Sequence, residues 1–189
     1  TCSTRREVQE RMAHCRIFVG TVATLSAKAE LFRLKTFDVA LIDEATQILE
    51  PQLLGLLCMR GVTGGNAIGK FVLIGDHKQL PAVVQQDADE SRVNDTELNG
   101  IYLTDCRLSL FERLLRQYRN DENVTYMLTK QGRMHHDIAL FPNEAFYENR
   151  LQEVPLDHQN VTLSKSVTDN NGITNILTTR RIAFIDVKA

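Results

Sequence analysis

Two adjacent carboxylates, Asp43 and Glu44, close the run Phe37-Asp38-Val39-Ala40-Leu41-Ile42, in which five of six residues are apolar. Hard cations such as Mg²⁺ need only one or two carboxylates and keep several waters. A second carboxylate pointing elsewhere can reach for a water and its proton. Asp43 equally suits the N-cap of a following helix, since its side chain can accept an amide hydrogen bond there. A second polar cluster, Gly75-Asp76-His77-Lys78-Gln79-Leu80-Pro81, follows another apolar run, Phe71-Val72-Leu73-Ile74. Gln79 both donates and accepts hydrogen bonds, so it suits contact with a terminal phosphate and an attacking water together. Its plain alternative is a polar turn stopped by Pro81. In a third cluster, Gln131-Gly132-Arg133-Met134-His135, the guanidinium of Arg133 can stabilise charge on a transferring phosphoryl group. Taken by itself, Arg133 also fits an ordinary surface ion pair. His135 and His136 would diverge by about 100° on a helix and make poor co-ligands for one metal.

One further match points the other way. Gly64-Gly65-Asn66-Ala67-Ile68-Gly69-Lys70 has the spacing G-x-x-x-x-G-K. A phosphate-cradling loop needs Ser or Thr next and must lie between a strand and a following helix. Phe71 follows instead and opens an apolar run, so this stretch is expected to be a flexible connection.

These clusters need elements to hold them at one edge. Short unbroken apolar runs read as strands buried on both faces, the kind found in parallel sheets. The pattern predicts strands at 17–21, 37–42, 71–74, 124–128 and 182–187. Helices are expected from residue 4, capped by Ser3 or Thr4, to 14, and over 22–35, 47–59, 108–118 and 135–147, with Pro142 kinking or ending the last. The polar, acidic stretch 86–105 reads as a mobile surface insertion and 152–180 as loop. Alternating strands and helices imply an α/β fold with a parallel sheet flanked by helices, whose carboxyl edge is where ligands bind.

Composition sets the class. The 189 residues are 43% hydrophobic and 24% charged, with a net charge of −2, as in a soluble globular protein. No bulk basicity marks a nucleic-acid partner, so such binding must come from a local face. No apolar run approaches the ~20 residues that span a bilayer, and a cytoplasmic location is expected. Cys2, Cys15, Cys58 and Cys106 form no C-x-x-C pair and read as reduced, mostly structural thiols. The chain opens on Thr1 without Met and stops at Ala189 just after an apolar run, which suggests an excised piece of a longer protein.

Together, in this order, the pieces resemble superfamily 1B helicases of the Up-frameshift type. The matching text is Ile42-Asp43-Glu44-Ala45-Thr46-Gln47 with Glu50-Pro51, then Leu73-Ile74-Gly75-Asp76-His77-Lys78-Gln79-Leu80-Pro81-Ala82-Val83-Val84, then Ser109-Leu110-Phe111-Glu112-Arg113-Leu114. Gln131-Gly132-Arg133-Met134-His135 follows, and Phe141-Pro142-Asn143 with Phe146-Tyr147 and Leu151 closes the series. The resemblance covers roughly residues 15–155 and the final apolar run, and five ordered blocks make it specific where any one would be weak.

The resemblance implies RecA-like P-loop NTPase domains with ATP and Mg²⁺ between them. It makes Asp43 the Mg²⁺ ligand, Glu44 the residue that polarises the attacking water, Gln79 the γ-phosphate sensor and Arg133 an arginine supplied across the cleft. Asp76 joins these in the nucleotide-binding set. Gly20, Thr21 and Thr24 fall where such helicases touch the nucleic-acid backbone, a contact that positions without reading sequence. The partner implied is a single strand of DNA or RNA. Residues 1–131 would be the distal part of a first RecA-like domain and 132–189 the beginning of a second. The phosphate-binding loop with its Lys and the family's final arginine motif are absent, so truncation at both ends is expected, and this piece alone should be inactive. Gly132 stands where many relatives carry an aromatic residue. Two other readings stay open: a degenerate RecA-like binding or regulatory module, and an ATPase that remodels protein complexes without unwinding.

Overall fold

The computed structural model describes residues 4–119, 121–161 and 172–182. The chain divides into two compact units, Thr1–Thr125 and Tyr126–Ala189, where the sequence places the boundary at 131/132.

The first unit begins with α1 (Arg5–His14), which Thr4 caps through its hydroxyl while Glu7 bonds back to the Thr4 amide. This reciprocal pair satisfies two backbone donors that the helix start leaves open. At the other end of α1 the Lys35 ammonium donates to the carbonyls of Met12 (2.8 Å) and Cys15 (2.6 Å), a cation at the negative end of the helix. The expected helix over 22–35 is two short ones, α2 (Val22–Ser26) and α3 (Ala29–Phe32). β1 (Phe37–Ile42) has the expected bounds. A 3-10 turn (Ala45–Gln47) and α4 (Glu50–Leu57) then carry the chain to β2 (Ile68–Leu73), which starts earlier than the apolar run suggests. β1 and β2 pair in parallel, Phe37 opposite Ile68 and Ile42 opposite Leu73. Such pairs need a crossover, and α4 supplies it.

One face of this pair meets the core of Phe32, Ile42, Ala45, Leu53, Leu56, Ala67, Ile68 and Leu110. The other face is open, a correction to the expectation of strands buried on both sides: Val39 is 47% exposed and Leu41 70%. Side chains alternate across a strand, so the core covers alternate residues only. The strand expected at 17–21 is likewise not formed. Ile17 and Val19 are exposed in a segment without ladder partners. A strand exists only where a neighbour takes its backbone groups, and an apolar run cannot supply that neighbour.

Residues 86–105, read as a surface insertion, carry regular local structure. They contain α5 (Ala88–Ser91) and α6 (Thr96–Gly100) and close on themselves through an Arg92–Asp105 bridge and a bidentate Arg107–Asp105 ion pair. The Ser91 side chain is buried and donates to the Asp87 carbonyl (2.8 Å). Local polar bonds replace the apolar signal that the sequence lacks here. α7 (Leu110–Gln117) starts at Ser109 with a second reciprocal cap involving Glu112. The Arg113 guanidinium grips Glu50 at the start of α4 through two bonds of 2.7 and 2.5 Å.

No strand forms over 124–128; among the described residues of the second unit Lys130–Gln131 (β3) pairs in parallel with Gln152–Glu153 (β4). Between them α8 (His136–Tyr147) continues past Pro142, so of the two expected effects, a kink or an end, the helix does not end there. Asn143, next to that proline, is fixed from both sides of its amide by the backbone of Leu151 (3.1 and 2.9 Å), which anchors the helix beyond the lost hydrogen bond. The region read as loop holds β4, a 3-10 turn (Asp157–Asn160) and α9 (Gly172–Thr179). The strand expected over 182–187 lies outside the described residues from 183 onward. Cys15, Cys58 and Cys106 are free and exposed rather than structural core thiols.

Candidate nucleotide site

The C-terminal ends of β1 and β2 bring the first two polar clusters to one edge. Pairing continues past both strands: the Ile74 amide donates to Ile42 (2.8 Å) and the Ala45 amide to Ile74 (2.8 Å). Gly75 is the point of closest approach. A Cβ there would stand 3.0 Å from Thr46 Cγ2 and 3.1 Å from the Thr46 amide, so a side chain would push the Asp43–Glu44 turn away from the Asp76–Gln79 turn. Ala45 and Thr46 are buried beneath this junction, whereas Asp43 and Glu44 are exposed above it.

Asp43 does not serve as a helix cap. Its Oδ1 accepts from the next amide, Glu44 (3.0 Å), and the residue that precedes the 3-10 turn is Glu44, with no side-chain cap. Glu44 adopts the left-handed conformation (φ 52°, ψ 37°), costly for a residue with a side chain and found preferentially at functional positions. Its Oε2 accepts from the Gln47 amide group (3.2 Å). Across the edge, Asp76 Oδ1 accepts from the Lys78 amide (3.0 Å) and Oδ2 from the Gln79 side chain (2.9 Å). Gln79, an exposed side chain, is thus held by Asp76 through its amide nitrogen.

Two exposed carboxylates side by side match an ion that keeps most of its own water. Among the described residues no three His, Cys, Asp or Glu side chains gather into an all-protein cage of the kind Zn²⁺ or Ca²⁺ prefers. Asp43 and Glu44 are the residues here that could hold a hydrated hard cation.

The remaining expected residues lie elsewhere. Gly64 (φ +80°) sits in a turn closed by Gly61 and Gly65, and Gly69 and Lys70 are inside β2, so the G-x-x-x-x-G-K match is a turn and strand rather than a phosphate loop. Gly20 precedes α2; Thr21 caps it, accepting from the Thr24 amide (3.1 Å) and donating to Thr24 Oγ1 (2.9 Å). Arg133 belongs to the second unit and is exposed on the loop between β3 and α8.

Two models of the family described as AAA domain match residues 2–87 and 106–189. An uncharacterized ATP-dependent helicase of Methanocaldococcus jannaschii is 31% identical over 79% of this chain and 18% of its own length. The DNA replication ATP-dependent helicase/nuclease DNA2 of Gallus gallus is 32% identical over 71% of the chain and 11% of its own length. The DNA polymerase alpha-associated DNA helicase A of Saccharomyces cerevisiae is 28% identical over 77% and 20%. The chain is thus similar to AAA domains over two stretches and to ATP-dependent helicases over most of its length. It spans about a fifth or less of the length of these helicase relatives.

The AAA-type matches imply a P-loop NTPase fold, and the structure is α/β with small parallel sheets. No helix among the described residues is long and apolar enough to cross a membrane. Sequence reasoning missed the role of Gln47, which stands three residues after Glu44 and is its hydrogen-bond partner. The i, i+3 spacing across a tight turn was the available signal.

Proposed function

We propose that this chain supplies the Mg²⁺- and water-handling side of the ATP site of a helicase, within a pair of RecA-like domains of the Up-frameshift type. The observation that carries the reading is the junction at Gly75, which joins the Asp43–Glu44 and Asp76–Gln79 turns above one parallel strand pair. Asp43 would hold Mg²⁺ through its water shell, and the ion would neutralise charge on the β- and γ-phosphates. Glu44, oriented by Gln47, accepts a proton from the attacking water. Gln79, braced by Asp76 through one amide N–H, would reach the γ-phosphate with the other and accept from that water with its carbonyl oxygen. Arg133, from the domain that begins near residues 126–132, balances charge on the transferring phosphoryl group. The cradle for the phosphates is not among these 189 residues, so the chain alone should show no Mg²⁺-dependent turnover.

ATP binding and hydrolysis would alternately close and open the cleft and step the protein along a single strand of nucleic acid in a cytoplasmic setting. Thr24 supports the strand contact. Its Oγ1 already accepts from Thr21, which leaves its own hydroxyl proton to donate to a phosphate beside the Gly20 backbone.

In the full-length protein, Glu44→Gln should retain ATP binding and lower nucleic-acid-stimulated turnover by about 10²- to 10⁴-fold, as loss of a general base does. Turnover within tenfold of wild type would overturn the assignment of Glu44. Measured affinity for a single strand should fall steeply with salt if backbone contacts dominate.

A further inference from the structure

The loop that carries Arg133 is held from within by Gln131 and from outside the five matched blocks by Gln159 and His158. Gln159, in the 3-10 turn Asp157–Asn160, is 2% exposed, among the most completely buried side chains of the molecule although it is polar. All of its amide capacity is directed. Its Nε2 donates to the Met134 carbonyl (3.0 Å) and the Gln131 carbonyl (3.3 Å), the two ends of the loop, while its Oε1 accepts from the Leu156 amide (3.1 Å). Inside the loop, Gln131 Oε1 accepts from the amides of Arg133 (3.1 Å) and Met134 (2.8 Å), and Gln131 Nε2 donates to the Met134 carbonyl (3.1 Å). His158 bonds the Gly132 carbonyl through Nε2 at 2.7 Å, and Leu156 closes over Gly132, leaving 3.1 Å to where a Cβ would stand.

Every backbone group from Gln131 to Met134 that these contacts reach is tied, yet the Arg133 side chain itself is exposed. A buried amide whose two N–H donors and carbonyl oxygen are engaged is costly to disturb, and it fixes one backbone arrangement. We infer that Gln159, with His158 and Gln131, is a positioning device that presets the direction of Arg133 before any nucleotide arrives. This inference rests on the reading of Arg133 as a phosphate-facing arginine. A preset guanidinium need not be ordered during the reaction, and small misplacements of such groups reduce rate more than binding.

The test is a double-mutant cycle in the full-length protein. Gln159→Leu keeps the size of the side chain but removes both donated bonds. It should lower kcat for nucleic-acid-stimulated ATP hydrolysis by about tenfold or more, with KM for ATP changed less than about threefold. In an Arg133→Ala background it should add nothing. Hydrogen exchange at the Met134 and Arg133 amides should quicken in Gln159→Leu while exchange in β1 and β2 stays as in wild type. Gln131→Leu, which removes the acceptor of those two amides, should reproduce both effects and serves where Gln159→Leu fails to fold. An equal loss on Gln159→Leu with and without Arg133, or unchanged exchange at Met134, would overturn the positioning role alone. Undiminished turnover in Arg133→Ala would overturn the reading of Arg133, and this inference with it.

Discussion

Glu44 and Glu50 lie within one short stretch of the first unit, yet their surroundings are opposite. Glu50 is a closed pair: it and Arg113 are 13% and 11% exposed, and the guanidinium fork meets both carboxylate oxygens. Arg113 is held more firmly protonated by that hydrogen-bonded contact. Glu44 is exposed, left-handed in backbone, and held by one long bond from Gln47. A carboxylate that finishes its hydrogen bonds inside the protein ties α4 to α7. A carboxylate left open at a strand edge, on a backbone that strain alone would not favour, is available to something outside the chain.

That contrast can be broken by experiment. Glu50→Ala should cost on the order of 3 kcal/mol in urea unfolding of the chain, because it leaves the Arg113 guanidinium enclosed without its partner. Replacing both residues by Met should recover most of this, since an apolar pair of similar volume removes the unpaired charge. Ser109→Ala should cost about 1 kcal/mol by removing the α7 cap. Glu44→Gln should shift stability by less than about 0.5 kcal/mol, in keeping with an exposed position. A large loss of stability in Glu44→Gln would erase the distinction between the two glutamates.

The smallest effect is in acid. Hydrogen bonds from the Arg107 side chain and backbone hold the Asp105 carboxyl below its usual range. Asp137 is held low by the Arg181 amide and by the charges of Arg180 and His135. A carboxylate whose folded pKa is depressed adds stability above its unfolded value of about 3.9, and that contribution fades as pH falls through the folded value. Asp105→Asn should therefore be slightly less stable than wild type near neutrality, and the gap should close below about pH 4. A gap that widens in acid would contradict the assignment.

How much of this was legible follows from what each signal measures. β1 was read to the residue because an unbroken apolar run flanked by charge is a local property. Ile17-Phe18-Val19 and Val124–Leu128 carry the same local pattern but form no strand, since pairing depends on a neighbour that composition does not report. The 86–105 segment failed in the other direction. Its local structure comes from Ser91 bonding the Asp87 carbonyl, the Arg92–Asp105 bridge and the Arg107–Asp105 ion pair, chemistry that looks like solvated surface when only residue types are read. Gln159 left no trace either, because its partners Gln131 and Met134 are 28 and 25 positions away.

The sequence by itself determined the inventory: Asp43 with Glu44, Asp76 with Gln79, Arg133 in its block, their order, and the reversed context that disqualifies Gly64–Lys70. These depend on residue type and spacing, which the chain states directly. Only the tertiary structure decided that the first two pairs share one edge at Gly75, that Glu44 is left-handed and open while Glu50 is closed, and that a buried glutamine grips the loop of Arg133. Those facts depend on which distant backbone groups meet. A linear pattern limits such meetings but does not fix them, because a hydrogen bond is satisfied by distance and angle and not by position along the chain.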